Sequence, residues 1–279
     1  EALGIAEYHG PRSPMMRCID HPTMVKDGSG WGAMAGVSAA HLAAQGFTGA
    51  PATTLEGADV ADIWADLGTR WYISEQYIKL YPVCRWAQPA VEAALAVMRT
   101  HEVSAGDVVG VEVETFHEAS RLAAIPSTTE EAQYSLPFSV AAAILRGTIG
   151  ADEVSANGYQ DAAILALART VRIAEREAFN TAFPARRFAV ARLRLRDGAV
   201  LSSDVTEAQG DPEDALGDEV VLGKFERLAS SVLGEAGAGA IRRAVEELDR
   251  IHDAGRLCTL MGALPRPEGT EPPTAGDLA

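Results

Sequence analysis

Lys79, Tyr81, Cys84 and Arg85 stand within seven residues at the start of the run K-L-Y-P-V-C-R-W-A-Q-P-A-V-E-A-A-L, Lys79 to Leu95. Two cations this close together can hold an anion. The thiol has no histidine beside it. Cys84 therefore reads as a small pocket-lining residue rather than a nucleophile. Pro89 suits the first turn of a helix, where its missing N–H costs nothing. Val91, Leu95 and Met98 continue as an apolar stripe at helical spacing. The cationic cluster thus lies on the loop entering a helix N-terminus, a natural place for an anion. The alternative is an ordinary connection into a helix, with a solvated lysine and arginine.

A second polar set lies on residues 9 to 30: Arg12, Arg17, Asp20, His21, Lys26 and Asp27. Pro11, Pro14, Pro22, Gly28 and Gly30 break any long element there. Loops of that length in a compact chain are usually functional or disordered. His9 and His21 on this loop can reach a site. The other histidines read as packed or solvent-facing.

The elements around these residues follow from pattern. Trp31 to Gln45 spells a helix with an almost smooth surface, from Gly32, Ala33, Ala35, Gly36, Ala39, Ala40 and Ala43. Such a helix belongs buried in a bundle. With no earlier segment to cover it, an apolar patch around Val37, Ala40 and Ala44 is expected. The run D-G-S-G-W-G-A-M-A-G lacks the βαβ setting of a dinucleotide loop, so no nucleotide site is assigned. Val60 to Leu67 suggests a short helix and Trp71 to Ile78 a strand. In 107–116, Val109, Val111 and Val113 should face one way, opposite Glu112 and Glu114. Thr129 to Arg146 is helical, capped by Thr128 or Thr129 and kinked or split by Pro137. A helix at 161–168 and strands at 171–173, 189–196 and 199–205 follow, with a hairpin turn at Asp197-Gly198. Val220 to Val232 and Ala240 to Ile251 mark two last helices.

The fold class is therefore α+β: an all-helical body, partly present, carrying an inserted smaller α+β lid. Residues 1–70 belong to the body, 71–210 form the lid, 211–265 return to the body, and 266–279 are a Pro/Gly-rich disordered tail. Helices from the two ends should pack on each other.

Composition narrows the function. The net charge of −15 argues against nucleic acid or an anionic membrane as partner. No apolar run reaches the length of a membrane span, and the first residues are no secretory signal. Cys18, Cys84 and Cys258 lie far apart with no C-x-x-C pair, which fits a reducing cytoplasm and no metal site. The chain begins without Met in what reads as mid-helix, so a fragment or truncated chain is expected.

Five runs, in order, resemble the MmgE/PrpD family. They are A-L-G-I-A; M-V-K-D-G-S-G-W-G-A-M-A-G with A-A-Q-G-F-T-G-A; the run from Lys79; A-Q-Y-S-L-P-F-S-V-A-A-A-I-L-R-G; and G-D-P-E-D-A-L-G-D-E-V-V-L-G-K-F. That family includes 2-methylcitrate dehydratases, cis-aconitate decarboxylase and iminodisuccinate epimerases. The resemblance implies a helical domain and an α+β lid with the active site between them, a homodimer, and a cofactor-free lyase or isomerase. The substrate would be a small di- or tricarboxylate, handled by proton transfer next to a carboxylate. Lys26 matches a family active-site lysine and is the catalytic candidate. Lys79 and Arg85 match the lid motif as carboxylate clamps, with Tyr81, Cys84 and His21 beside the substrate. The chain departs from the family at two points. Neither Cys84 nor Gln88 has the histidine often found there, and Phe138 replaces a pocket tyrosine found in some relatives. The resemblance also implies that this chain is the C-terminal part only. The N-terminal helical half, with its Asp/His-rich segment, is unmatched here: a separate chain supplies it, the gene is split, or this chain is a fragment. The alternative function is a non-catalytic or half-site subunit that needs such a partner.

Overall fold

The computed structural model describes residues 1–26, 28–250, 252–253 and 255–263. The chain divides into two compact units, residues 1–213 and 214–279. Residues 1–70 fall in the same compact unit as the sheet. The α+β class holds, with a helix-rich chain around one small mixed sheet.

Three helices open the chain: α1 (Ala2–His9), α2 (Met16–Asp20) and α3 (Gly28–Ala44). The α+β part follows, with α4 (Gln88–Thr100), β1 (Val108–Thr115), α5 (Thr129–Gln133), α6 (Leu136–Arg146), α7 (Ala162–Ala168), β2 (Val171–Glu175), β3 (Phe188–Leu195), β4 (Val200–Ser202) and β5 (Thr206–Glu207). Strand order is β2-β1-β3-β4, with β5 also on β3. β1 runs parallel to β2 and antiparallel to β3, and β3 runs antiparallel to β4. α4 packs against β3, and α6 packs against both α4 and α7. This makes two layers, with helices covering one face of the sheet.

Alternation decides which face. Val111, Val113, Ala191 and Leu193 are buried beneath the helices, while Glu112 and Arg194 are exposed on the other side. One expected detail changes. The β1–β3 register shifts between Val108 and Gly110, so Val108 rather than Val109 is buried. A bulge inserts an extra residue and flips the alternation locally.

The 129–146 segment splits as its proline requires. Thr128 caps α5 by accepting from the Glu131 amide. Ser135 caps α6 by accepting from the Phe138 amide at 3.1 Å, and its hydroxyl donates to the Ala124 carbonyl. Pro137 then sits in the first turn of α6, where it costs nothing. Gly147, at φ +75°, ends the helix in the left-handed conformation. Ser135 is fully buried. Ser135→Ala removes the cap on the Phe138 amide and the donor to the carbonyl of exposed Ala124, so it should cost about 1 kcal/mol in denaturant unfolding. A loss under about 0.5 kcal/mol would mean that water replaces the hydroxyl.

Three expectations are corrected. Trp71 to Ile78 is not a strand. It holds a 3-10 turn at Tyr72–Glu75, and the Ile78 amide donates to the Gly210 carbonyl at 2.9 Å. Trp71, Tyr72 and Ile73 are exposed, so this stretch lacks the packed face that β-branched and aromatic residues need to favour a strand. The helix expected over Val60 to Leu67 is instead a 3-10 helix, Ala58–Trp64. α3 forms as expected but is not buried: only Ala39 is. Gly49 and the 50–54 stretch hold α1, through Thr53 Oγ1 to Glu7 at 2.7 Å, and α1 covers one side of α3. Val37, Ala40 and Ala44 stay exposed, as the patch expectation required.

The main core runs from Val83 to Leu193; among the described residues of the first 80 it takes Ile19 as a buried member, with Met16 packed against it. Ile5, Ala39 and Ala52 are the buried apolar side chains of the remaining N-terminal part.

The second unit is mostly α8 (Asp218–Glu246), which bends at Gly234, φ +69°. The two helices expected there are its two arms, tied by Arg242 to Glu226 at 2.8 Å. α9 (Gly255–Ala263) follows. Ile251 and the expected disordered tail, 266–279, lie outside the described residues.

Candidate functional site

The loop between Leu80 and α4 is built from the inside. Gln88 is buried, and its Nε2 donates to the carbonyls of Tyr81 and Val83 at 3.2 and 3.1 Å. The Cys84 amide donates to the Gln133 carbonyl at 2.7 Å. Tyr81 donates its hydroxyl to Glu92 Oε1 at 2.6 Å, and Glu92 is itself only 4% exposed. These bonds leave the loop one backbone course, packed against the end of α5.

Arg85 is buried at 4% exposure. Its Nη1 donates to the Gln209 carbonyl at 2.8 Å, and its Nη2 to the Ala208 carbonyl at 3.1 Å. Nη2 also pairs with Asp211 at 2.7 Å, and the guanidinium lies 4.8 Å from the Tyr77 ring centroid. Both ends of its fork are thus turned to the 208–211 turn. This corrects the expected clamp geometry, because the fork meets protein groups. The physical reason is burial: a guanidinium this deep needs its own carboxylate and carbonyls. The compensating acid that a cationic cluster requires is Asp211, in the run G-D-P-E-D.

Lys26 is placed differently. It is half-buried, its Nζ donates to Gln133 Oε1, and it lies 5.6 Å from the Tyr134 ring centroid. Gln133 is held in turn by Nε2 donating to Thr129 Oγ1 at 3.1 Å. Its oxygen is thereby turned to the lysine. An amide oxygen and a phenol face hold the ammonium without neutralising it. Lys26 opens onto a hollow of about 450 Å3, lined by Met24, Ser29, Gly30, Trp31 and Met34 at the start of α3. The positive end of that helix adds to the lysine's field.

Gln133 therefore joins two parts that are far apart in sequence. Its side chain takes Lys26, and its backbone takes Cys84. Cys84 and Lys79 are half-buried. His21 is exposed at the end of α2. Its segment is pinned by Ile19 in the core, by Asp20 to Arg121 at 2.8 Å and by Cys18 Sγ to the Lys26 carbonyl at 3.5 Å. Phe138 is wholly buried in the core. Sequence reasoning missed Gln133, Tyr134 and Asp211 as individuals. Each stood inside a quoted run, and the spacing of Thr129 and Gln133, one helical turn apart, was the readable signal. Among the described residues, no group of three or more His, Cys, Asp or Glu is arranged to hold a metal ion.

A helix-backed mixed sheet with this entry loop defines an α+β domain. The family model for the MmgE/PrpD C-terminal domain matches residues 81–250, more than half of the chain. The chain belongs to the MmgE/PrpD family, whose members are typically lyases or dehydratases. The match covers Tyr81, Cys84 and Arg85, and it leaves His21, Lys26 and Lys79 before its first residue. No curated protein matches the chain. No helix among the described residues is long and apolar enough to cross a membrane.

Proposed function

We propose that this chain carries one part of a cofactor-free lyase site for a small di- or tricarboxylate, acting in the manner of a 2-methylcitrate dehydratase. The observation that carries this reading is Lys26: an ammonium held by Gln133 and the Tyr134 ring, both uncharged, beside a helix N-terminus and a hollow. An ammonium held in that way suits a substrate carboxylate, and it suits the enediolate-like charge that follows proton removal still better. In this reading Lys79, Tyr81 and Cys84, on the loop entering α4, and His21, at the end of α2, complete the substrate site. Arg85 acts through the loop it anchors rather than by touching substrate. The two ends of the 71–210 stretch meet through Ile78 to Gly210 and Arg85 to Asp211, which supports a lid inserted into a helical body. In this reading residues 1–70 and 211–265 contribute to that body. The protein works in the cytoplasm as a homodimer, without nucleic acid or membrane.

A second observation favours the half-site form of this reading. Met24, Val25, Trp31, Met34, Val37, Leu42, Ile63 and Trp71 are all more than 40% exposed. So many exposed apolar side chains on one part of a chain mark a surface made to be covered. A helical half carrying the Asp/His-rich segment would cover it and supply the base.

The test is an assay panel of citrate-like acids, run on the chain alone and on the chain mixed with a family N-terminal half, with light scattering on each. Turnover and a defined complex only in the mixture are expected. A clean monomer at high concentration that gains neither partner nor turnover would contradict both readings.

A further inference from the structure

The uncovered face of the sheet collects arginines in a chain that is otherwise strongly acidic. On β1, Glu112 pairs in register with Arg172 of β2 on one side and Arg192 of β3 on the other. Gly110 pairs with Arg194. Arg169, at the end of α7, stands beside them. Together with Thr170 and Val200 these residues line a hollow of about 340 Å3. Strands lie about 4.8 Å apart, so side chains from three strands reach one small volume.

Gly110 is part of the construction. A Cβ at that position would lie 2.6 Å from Arg194 Nη2. With only hydrogen there, the Arg194 guanidinium lies flat across β1 toward the hollow.

An ordinary solvated face would pair its charges across strands. Arg192 does so, with Glu114 at 2.8 Å, and Arg176 approaches the same carboxylate at 3.6 Å. The Arg192 hydrogen bond holds the Glu114 carboxyl below its usual range. Arg169, Arg172 and Arg194 do not follow that pattern. Among the described residues their side chains close no ion pair and no hydrogen bond, although Glu112 is in register beside Arg172. Three uncommitted guanidinium groups around one hollow, in a chain of net charge −15, give a local field opposite to that of the whole molecule.

We propose that this hollow binds a small, multiply charged phosphate-type anion, held by the forks of Arg172 and Arg194 with Arg169 at the rim. Guanidinium forks match phosphate oxygens bidentately, and two or three around one hollow select for more than one negative charge. Glu112, in register between Arg172 and Arg192, opposes any anion there and sets a limit that the arginines must outweigh. The site is independent of the Lys26 reading, because it lies on strands and uses none of the residues around Lys26.

The test is calorimetric titration of the whole chain with inorganic pyrophosphate, against sodium sulfate and chloride at matched ionic strength. Saturable binding of pyrophosphate is expected, weakened at least about tenfold in the double variant Arg172→Gln/Arg194→Gln. Glu112→Gln should tighten it about threefold, and Lys26→Ala should leave it unchanged. All three arginines are exposed, so the double variant should keep its fold, which circular dichroism checks. Equal pyrophosphate affinity in wild type and double variant would overturn the proposal. So would a heat no larger than that of sulfate, or binding of hexaglutamate without pyrophosphate, which would mark a face for acidic protein instead.

Discussion

Arg85→Met should destabilise the 1–213 unit by about 3 kcal/mol, the largest stability effect expected from any single polar residue of the loop. The methionine roughly keeps the volume of the aliphatic stem, so the loss isolates the guanidinium. Three protein groups lose their donor together: the carbonyls of Ala208 and Gln209 and the carboxylate of Asp211. Arg85 is buried, but the Asp211 side chain is 32% exposed. Water can therefore take back part of that charge, which keeps the loss below the upper end for a fully buried pair. Arg85→Lys keeps the charge and loses the fork. It should fall between the two, because one ammonium cannot reach both carbonyls and the carboxylate in the same plane. Denaturant midpoints at constant m-value give the answer. A change of less than about 0.5 kcal/mol for Arg85→Met would return Arg85 to the role of a surface-type clamp. The same variant should loosen the contact of Ile78 with Gly210, read as faster amide exchange at Ile78.

The α+β part was legible in the sequence because its signals are local. Alternating valines and leucines gave β1 and β3, Asp197-Gly198 gave the hairpin, and Pro137 with Ser135 and Thr128 gave the split helix. The first 80 residues were harder for a physical reason. Trp71 to Ile78 has the composition of a strand, but no sheet edge lies where it runs, and composition cannot supply a partner. α3 has the smooth surface of a bundle helix, while the chain supplies α1 and the 49–54 stretch as cover and leaves the rest open. The site was legible as residue types and not as partnerships. Lys79, Tyr81, Cys84 and Arg85 are adjacent in sequence, yet what distinguishes Lys26 from Arg85 is the group each one meets. Gln133 lies 107 positions from Lys26 and Asp211 lies 126 from Arg85. No spacing rule reaches across such intervals. An amide meets one cation and a carboxylate the other, so Arg85 is ion-paired within the chain while the Lys26 ammonium is held by uncharged groups.

Lys26→Ala carries the largest expected effect on activity. If Lys26 stabilises charge that develops in the transition state, its removal should lower kcat about a hundredfold or more. KM should move less, because the other contacts to the ground-state acid survive. Gln133→Leu tests the same arrangement one step back. It removes the acceptor that aims the ammonium, and should lower kcat by a smaller factor, about tenfold, with the lysine still present. Thr129→Val should act in the same direction as Gln133→Leu and more weakly, since it releases only the amide's orientation.

The most direct measurement is kcat and KM for wild type and Lys26→Ala, each mixed with a family N-terminal half, on the best substrate of the carboxylate panel. The account predicts a fall of about a hundredfold or more in kcat with KM changed by only a few fold. Near-normal turnover in Lys26→Ala, or a loss confined to KM, would contradict a lysine that acts on the transition state.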